Sequence, residues 1–134
     1  MEDIIQPVKI QEIGEFALIQ SLRDLVCQSV TSAGDITSEL LLGIGDDAAA
    51  WYTTGTTELA TTDTMVEGVH FRHEFTSWQD LGWKAMAVNV SDIAAMGGRP
   101  TFTLVTLGLR PETNVEDVHE LYRGILSACR EYNC

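Results

Sequence analysis

Lys84-Ala85-Met86-Ala87-Val88-Asn89-Val90-Ser91-Asp92-Ile93-Ala94-Ala95-Met96-Gly97 is apolar on nearly every side of a helical wheel. An apolar surface all round predicts a helix covered on most sides. Its start lies upstream at Ser77, which precedes Trp78-Gln79-Asp80 as an N-cap with an acidic third residue, close to a capping box. Its end lies at Met96, where Gly97, Gly98 and Pro100 stop it. Within residues 85–96 only Asn89, Ser91 and Asp92 are polar. Three positions apart, Asn89 and Asp92 fall within ~60° of each other on one face. A carboxylate beside an amide on a covered helix marks a polar site, or else a structural hydrogen bond to a neighbouring turn.

Outward from this helix the chain alternates helices and strands. Upstream, Phe16, Ile19, Leu22, Leu25 and Val26 recur at near-helical spacing after Gly14, which predicts an amphipathic helix over 15–30. Thr31 to Ser38 reads as a polar loop. Leu40 to Ile44 is a short apolar run entering a Gly45-Asp46-Asp47 turn, and 48–53 with 58–62 read as a hairpin around Thr54-Gly55-Thr56. Downstream, 101–109 is β-rich and nearly uncharged, as in a buried strand. Asn114 then caps a helix whose inner face is Val118, Leu121, Tyr122, Ile125 and Cys129, with His119 on its solvent side.

Composition narrows what such a chain can do. At 134 residues it can bury about two-thirds of its unfolded surface without staples, and 45% hydrophobic residues exclude general disorder. Twenty acidic against eight basic residues leave a formal charge of −12. That charge repels nucleic acid and anionic membranes, so any phosphate ligand needs bridging cations. No apolar run approaches the ~20 residues of a membrane span, and Met1-Glu2-Asp3 lacks the basic start of a signal peptide, so the expected location is cytoplasmic. Cys27, Cys129 and Cys134 form no C-x-x-C spacing and read as buried or free thiols.

Four aspartates stand apart from any charge run: Asp46 and Asp47 in the glycine turn, Asp63 in Thr61-Thr62-Asp63-Thr64, and Asp92 in the apolar helix. Among apolar, glycine and threonine neighbours an unpaired carboxylate is costly to desolvate, which calls for a cation. With few Lys and Arg available, metal ions are the expectation. The segment Gly43-Ile44-Gly45-Asp46-Asp47-Ala48 has the letters of a dinucleotide loop, but two carboxylates would face the pyrophosphate and the following Trp51-Tyr52-Thr53 is strand material. No G-x-x-x-x-G-K-[ST] run exists. A turn aiming Asp46 and Asp47 at magnesium, with its hard oxygen ligands, remains beside the plainer reading of an Asp-rich surface turn. The Thr61–Thr64 cluster likewise reads as a metal or phosphate shell or as turn formers. Lys84 pairs with an aspartate or a phosphate, or lies free on the surface.

Taken together, Gly14-Glu15-Phe16-Ala17-Leu18-Ile19, Gly43-Ile44-Gly45-Asp46-Asp47-Ala48, Thr62-Asp63-Thr64-Met65-Val66-Glu67-Gly68-Val69-His70-Phe71 and Lys84 to Gly97 resemble the thiamine-monophosphate kinase family in order and spacing, over residues 14–134. The Asn-x-Ser-Asp-Ile-Ala-Ala-Met-Gly part is similar across the wider superfamily of aminoimidazole-ribotide synthetase, selenophosphate synthetase and hydrogenase maturation ATPases. The resemblance implies an α+β fold, a mixed β-sheet with helices packed on one face, whose strands form a barrel across a homodimer with ATP near the junction. It implies transfer of the ATP γ-phosphoryl to thiamine monophosphate, giving thiamine diphosphate, with several Mg²⁺ ions. By position, Asp47, Thr61, Thr62, Asp63 and Asp92 match magnesium-binding residues, Gly45, Asp46 and Asp47 the nucleotide loop, and His70 a substrate contact. The family continues with a Gly-Gly-Asp-Thr-Thr loop and a second domain, and the sequence stops at Cys134 before both. The expectation is therefore a single N-terminal ATP- and Mg-binding domain over 1–134.

The chemistry agrees with the residue types. When donor and acceptor are both phosphates, catalysis is positioning plus charge neutralisation, and an acceptor oxygen already anionic at neutral pH needs no general base. Two other readings stay open: another ATP-using member of the superfamily, and a non-catalytic dimerisation and ATP-binding module.

Overall fold

A computed structural model describes residues 6–30, 40–45, 48–53, 55 and 57–134. The loop expected over 31–38, the aspartates Asp46 and Asp47, and Thr54 and Thr56 of the expected hairpin turn lie outside the described residues. Helix α1 spans Ile10–Val30, strands β1 and β2 span Leu40–Leu42 and Ala50–Trp51, and helices α2 and α3 span Trp78–Ala95 and Val115–Tyr132.

Gly14, at φ 76° and ψ 173°, breaks α1 into a first turn and a continuous helix from Glu15, where the sequence pattern begins it. A side chain is rarely tolerated at that φ, so glycine is what permits the break. The first turn is strapped to the residues ahead of α3: Ile10 N donates to Thr113 O (2.9 Å), Gln11 N to Pro111 O (3.1 Å), and Val115 N to Val8 O (2.9 Å). Lys9 Nζ adds a 2.6 Å bond to Asn114 Oδ1. Asn114 is the N-cap residue of α3, but its side chain makes no capping bond. It instead donates to Asp117 Oδ2 at 2.7 Å.

The ends of α2 fall where the local signals put them. Ser77 Oγ accepts from Asp80 N at 3.0 Å and donates to Asp80 Oδ2 at 2.7 Å. The N-cap bond satisfies an amide that the first turn leaves without a partner. Ser77→Ala is expected to cost about 1 kcal/mol, measured by urea unfolding. At the other end Gly97 takes φ 72° and Gly98 N donates to Ile93 O at 2.9 Å, closing the helix.

The three helices share one core, and α3 is its centre. Leu18 and Leu22 of α1, Leu81 and Met86 of α2, and Val118, Leu121, Tyr122, Ile125 and Ala128 of α3 are buried together. The α3 face is the one its periodicity predicts, with Cys129 packed beside it. Burial pushes the Tyr122 phenol above its ordinary value near 10. A raised folded-state pKa contributes stability that is complete below the unfolded value and lost as pH rises through the folded one. Stability should therefore fall as pH rises above about 10, and Tyr122→Phe should flatten that limb of a stability-against-pH curve.

Three expectations about strands and burial are corrected. β2 pairs antiparallel with β1, Leu40 opposite Trp51 and Leu42 opposite Ala50, rather than with 58–62. Residues 101–109 form no ladder, and Leu104 is 75% exposed. Phe102 stands against Trp51 of β2 at 5.3 Å, and Thr103 Oγ1 donates to Met86 Sδ of α2 at 3.5 Å. α2 itself is buried only at Leu81, Gly82 and Met86, and Met96 is 73% exposed. A strand needs neighbours for its amides and carbonyls, and among the described residues only β1 and β2 find them in a ladder, while α2 packs chiefly on α3. The described residues therefore form helices plus a small two-stranded sheet.

Candidate functional site

The segment 59–71 runs back along α2 from its C-terminal end toward its start. At one end Leu59 packs on Gly98 and Ile93: a methyl group on Gly98 would come within 2.7 Å of Leu59 Cδ1 and 3.0 Å of Ile93 Cγ2. Further along, Thr61 Oγ1 donates to Asp92 Oδ2 at 3.1 Å. At the other end Lys84 Nζ donates to His70 O. The threonine-aspartate cluster is thereby laid against the polar stripe of α2, 31 residues away in sequence.

Residues 66–71 form a compact turn. Val69 N and His70 N donate to Val66 O at 3.2 and 2.9 Å, and Gly68 N donates to Phe71 O at 2.8 Å with Gly68 at φ 81°. His70 Nδ1 accepts from Val66 N at 3.1 Å, so the neutral ring carries its hydrogen on Nε2. The residue is exposed. Phe71 and Trp78 sandwich His73, at 5.1 and 4.2 Å between ring centroids, which seats the turn on the start of α2.

The site departs from the sequence reading at several points. Asp63 and Asp92 are exposed, and no charged residue is buried among the described residues. The desolvation argument for a cation therefore does not hold within this chain. Among the described residues no Lys or Arg pairs with either carboxylate. Asn89 turns its Nδ2 back to Ala85 O at 2.9 Å, so it does not share a hydrogen bond with Asp92 through that donor. Among the described residues Lys84 serves a carbonyl, that of His70, and pairs with no aspartate. His119, expected on the solvent side of α3, lies between helices with Nε2 3.0 Å from Ser21 Oγ.

The ion pairs gather elsewhere, on α3 and its lead-in. Arg123 pairs with Glu116 at 2.6 Å and with Glu120, and Arg110 with Glu112 at 3.9 Å. The hydrogen bond from Arg123 holds the Glu116 carboxyl below its usual range. These exposed pairs contribute little to stability.

As donors, the Thr61 hydroxyl and Asp92 carboxylate are hard oxygens, and so is Asp63, at most about 7 Å of chain from Thr61. Oxygen donors open to water suit Mg²⁺, which keeps several waters in its shell. Among the described residues no three Asp, Glu, His or Cys side chains converge into a complete metal cluster. Gly45, at φ 112°, lies beside α1: a methyl group there would sit 3.6 Å from Arg23 Nη1. The sequence reading did not single out Arg23. Nothing local signals it, because 22 residues separate it from the turn it faces.

Residues 45–134 match the family described as AIR synthase related protein, N-terminal domain. The chain is 45% identical over 102 residues to the thiamine-monophosphate kinase of Rhodopirellula baltica, covering 70% of this chain and 32% of that protein. It is 43% identical over 97 residues to that of Bacillus subtilis, covering 72% and 30%. With that of Aquifex aeolicus it shares 37% over 127 residues, covering 95% and 37%. The crystal structure of thiamine-monophosphate kinase from Stenotrophomonas maltophilia K279a superimposes with a TM-score of 0.60 at 33% identity, over 90% of this chain and 35% of that one. The chain spans about a third of the length of the relatives it matches.

Proposed function

The chain belongs to the AIR synthase related family, whose N-terminal domain it carries, and from that premise we propose that it is the metal-holding part of a thiamine-phosphate kinase. The reaction is transfer of the ATP γ-phosphoryl to thiamine monophosphate. The observation that carries the reading is the bond from Thr61 Oγ1 to Asp92 Oδ2, which joins the Thr-Asp-Thr segment to the Asn-x-Ser-Asp helix. The names and identities of the relatives support it.

Thr61, Thr62, Asp63, Asp92 and Asp47 hold Mg²⁺, which when bound neutralises the facing phosphates and stabilises charge as the phosphoryl group moves. Asp92 is held on a helix, so its carboxylate has a fixed origin, and the Thr61 hydroxyl bound to Oδ2 limits its rotation. Gly45 lets the backbone turn at φ 112° on the nucleotide side, where Asp46 and Asp47 follow. His70, with Nδ1 engaged by its own turn, presents Nε2 to the thiamine substrate. No side chain acts as general base, because the acceptor phosphate is already anionic.

Homodimerisation fits the same reading. Leu104 and Val105 are exposed on a segment without ladder partners among the described residues, Leu41 is exposed on the small β1–β2 sheet, and a second copy supplies further strand partners in a barrel. A kinase drawing on ATP acts where ATP is, and the proposal places it in the cytoplasm. The test is an assay of a protein carrying this segment together with the remaining length of its relatives. With ATP and Mg²⁺, thiamine monophosphate should be converted to thiamine diphosphate. ATP turnover that ignores thiamine monophosphate but responds to selenide or a carboxylate acceptor would refute the proposal.

A further inference from the structure

We propose that Cys129 and Cys134 close reversibly into an intramolecular disulfide, which makes the end of α3 a thiol-oxidation site. The helix cap supplies the geometry. Asn133 takes the left-handed conformation, φ 56° and ψ 51°, and turns the chain back over the last helical turn. Both Asn133 N and Cys134 N then donate to Cys129 O, the latter at 3.0 Å. A six-residue wrap of this kind brings the side chains at its two ends against each other, usually as an apolar contact. Here both ends are cysteines.

The two thiols are also made unequal. Cys129 donates its S–H to the Cys134 sulfur, which holds the Cys134 thiol below its ordinary value and, together with burial, pushes Cys129 up. Cys134 is therefore the more readily ionised, attacking thiol and Cys129 the resolving one. Both side chains are only partly covered, so a small disulfide reaches them.

The oxidant is a low-molecular-weight disulfide such as glutathione disulfide. Cys134 Sγ attacks one of its sulfurs, the oxidant's S–S bond breaks, and one glutathione thiolate leaves. Cys129 loses its proton to solvent, and its sulfur attacks Cys134 Sγ, expelling the second glutathione. Two cysteine thiols are oxidised by two electrons, and one disulfide is reduced to two thiols.

The test uses the chain carrying Cys27→Ser, so that only this pair reacts, with glutathione disulfide at neutral pH, alkylation under denaturing conditions and mass spectrometry. A product lighter by about 2 Da, with neither cysteine alkylated and recovered by excess reduced glutathione, supports the proposal. Adding Cys129→Ser should leave a stable glutathione adduct on Cys134. Adding Cys134→Ser should slow the first reaction by about tenfold or more. A lasting adduct, a disulfide-linked dimer as the only product, or unreacted thiols in the protein that keeps both cysteines would each overturn it. Equal rates with and without Cys134 would overturn it as well.

Discussion

Gly124→Ala should destabilise the chain by about 3 kcal/mol, at the upper end of the ordinary cost of overpacking a core. The reason lies in how α2 and α3 meet. A methyl group on Gly124 would overlap the backbone carbonyl of Gln79, and one on Gly82 would overlap that of Leu121. The neighbours in the way are main chain, which has no rotamer to change, so the two helices must move apart. Separation loosens Leu81, Val118, Leu121 and Ile125 at once, because they are buried at this crossing or beside it. Against a typical total of about 5–15 kcal/mol, the loss should lower the melting temperature by on the order of 10 °C. Gly82→Ala should behave alike. Gly108→Ala is the control, since a methyl group there meets nothing within 4 Å. Equal melting temperatures for the Gly124 and Gly108 variants would show that the helices do not touch through their backbones.

In a protein carrying this segment and the rest of the kinase length, Asp92→Asn or Asp63→Asn should lower kcat by about a thousandfold. On the proposed metal-holding role, asparagine keeps the shape but removes the charge that would attract a divalent ion, and several kcal/mol of transition-state stabilisation would go with it. Stability should hardly change, because both residues are exposed and no cation among the described residues depends on them. Thr61→Val separates holding the metal from orienting its ligand: it frees Asp92 to rotate without changing charge, and about a tenfold loss with a raised Mg²⁺ requirement is expected. Turnover in Asp63→Asn close to that of the unaltered protein would rule out the metal-holding role.

Some of this was readable before any coordinates. The Ser77 cap, the Gly97 stop, the helix beginning after Gly14 and the inner face of α3 are each written within a few residues, and each was placed correctly. The aspartate and threonine segments are equally local, and their letters suffice for a family resemblance. What misled was the inference from apolar letters to burial. The all-apolar run of α2 and the β-rich residues 101–109 read as covered, yet Met96 and Leu104 lie open. Apolar character says that a surface is better off covered and does not say that the same chain covers it.

By itself, then, the sequence determined where helices begin and end and which family the chain resembles, because caps, glycines, periodicity and short motifs act over one or two turns of chain. Only the tertiary structure decided that Thr61 meets Asp92, that β2 takes β1 as its partner, that Arg23 stands beside Gly45, and that Gly82 and Gly124 let two helices touch. Those contacts join residues far apart in the chain, and their partners are selected by how the helices pack, which no local pattern encodes.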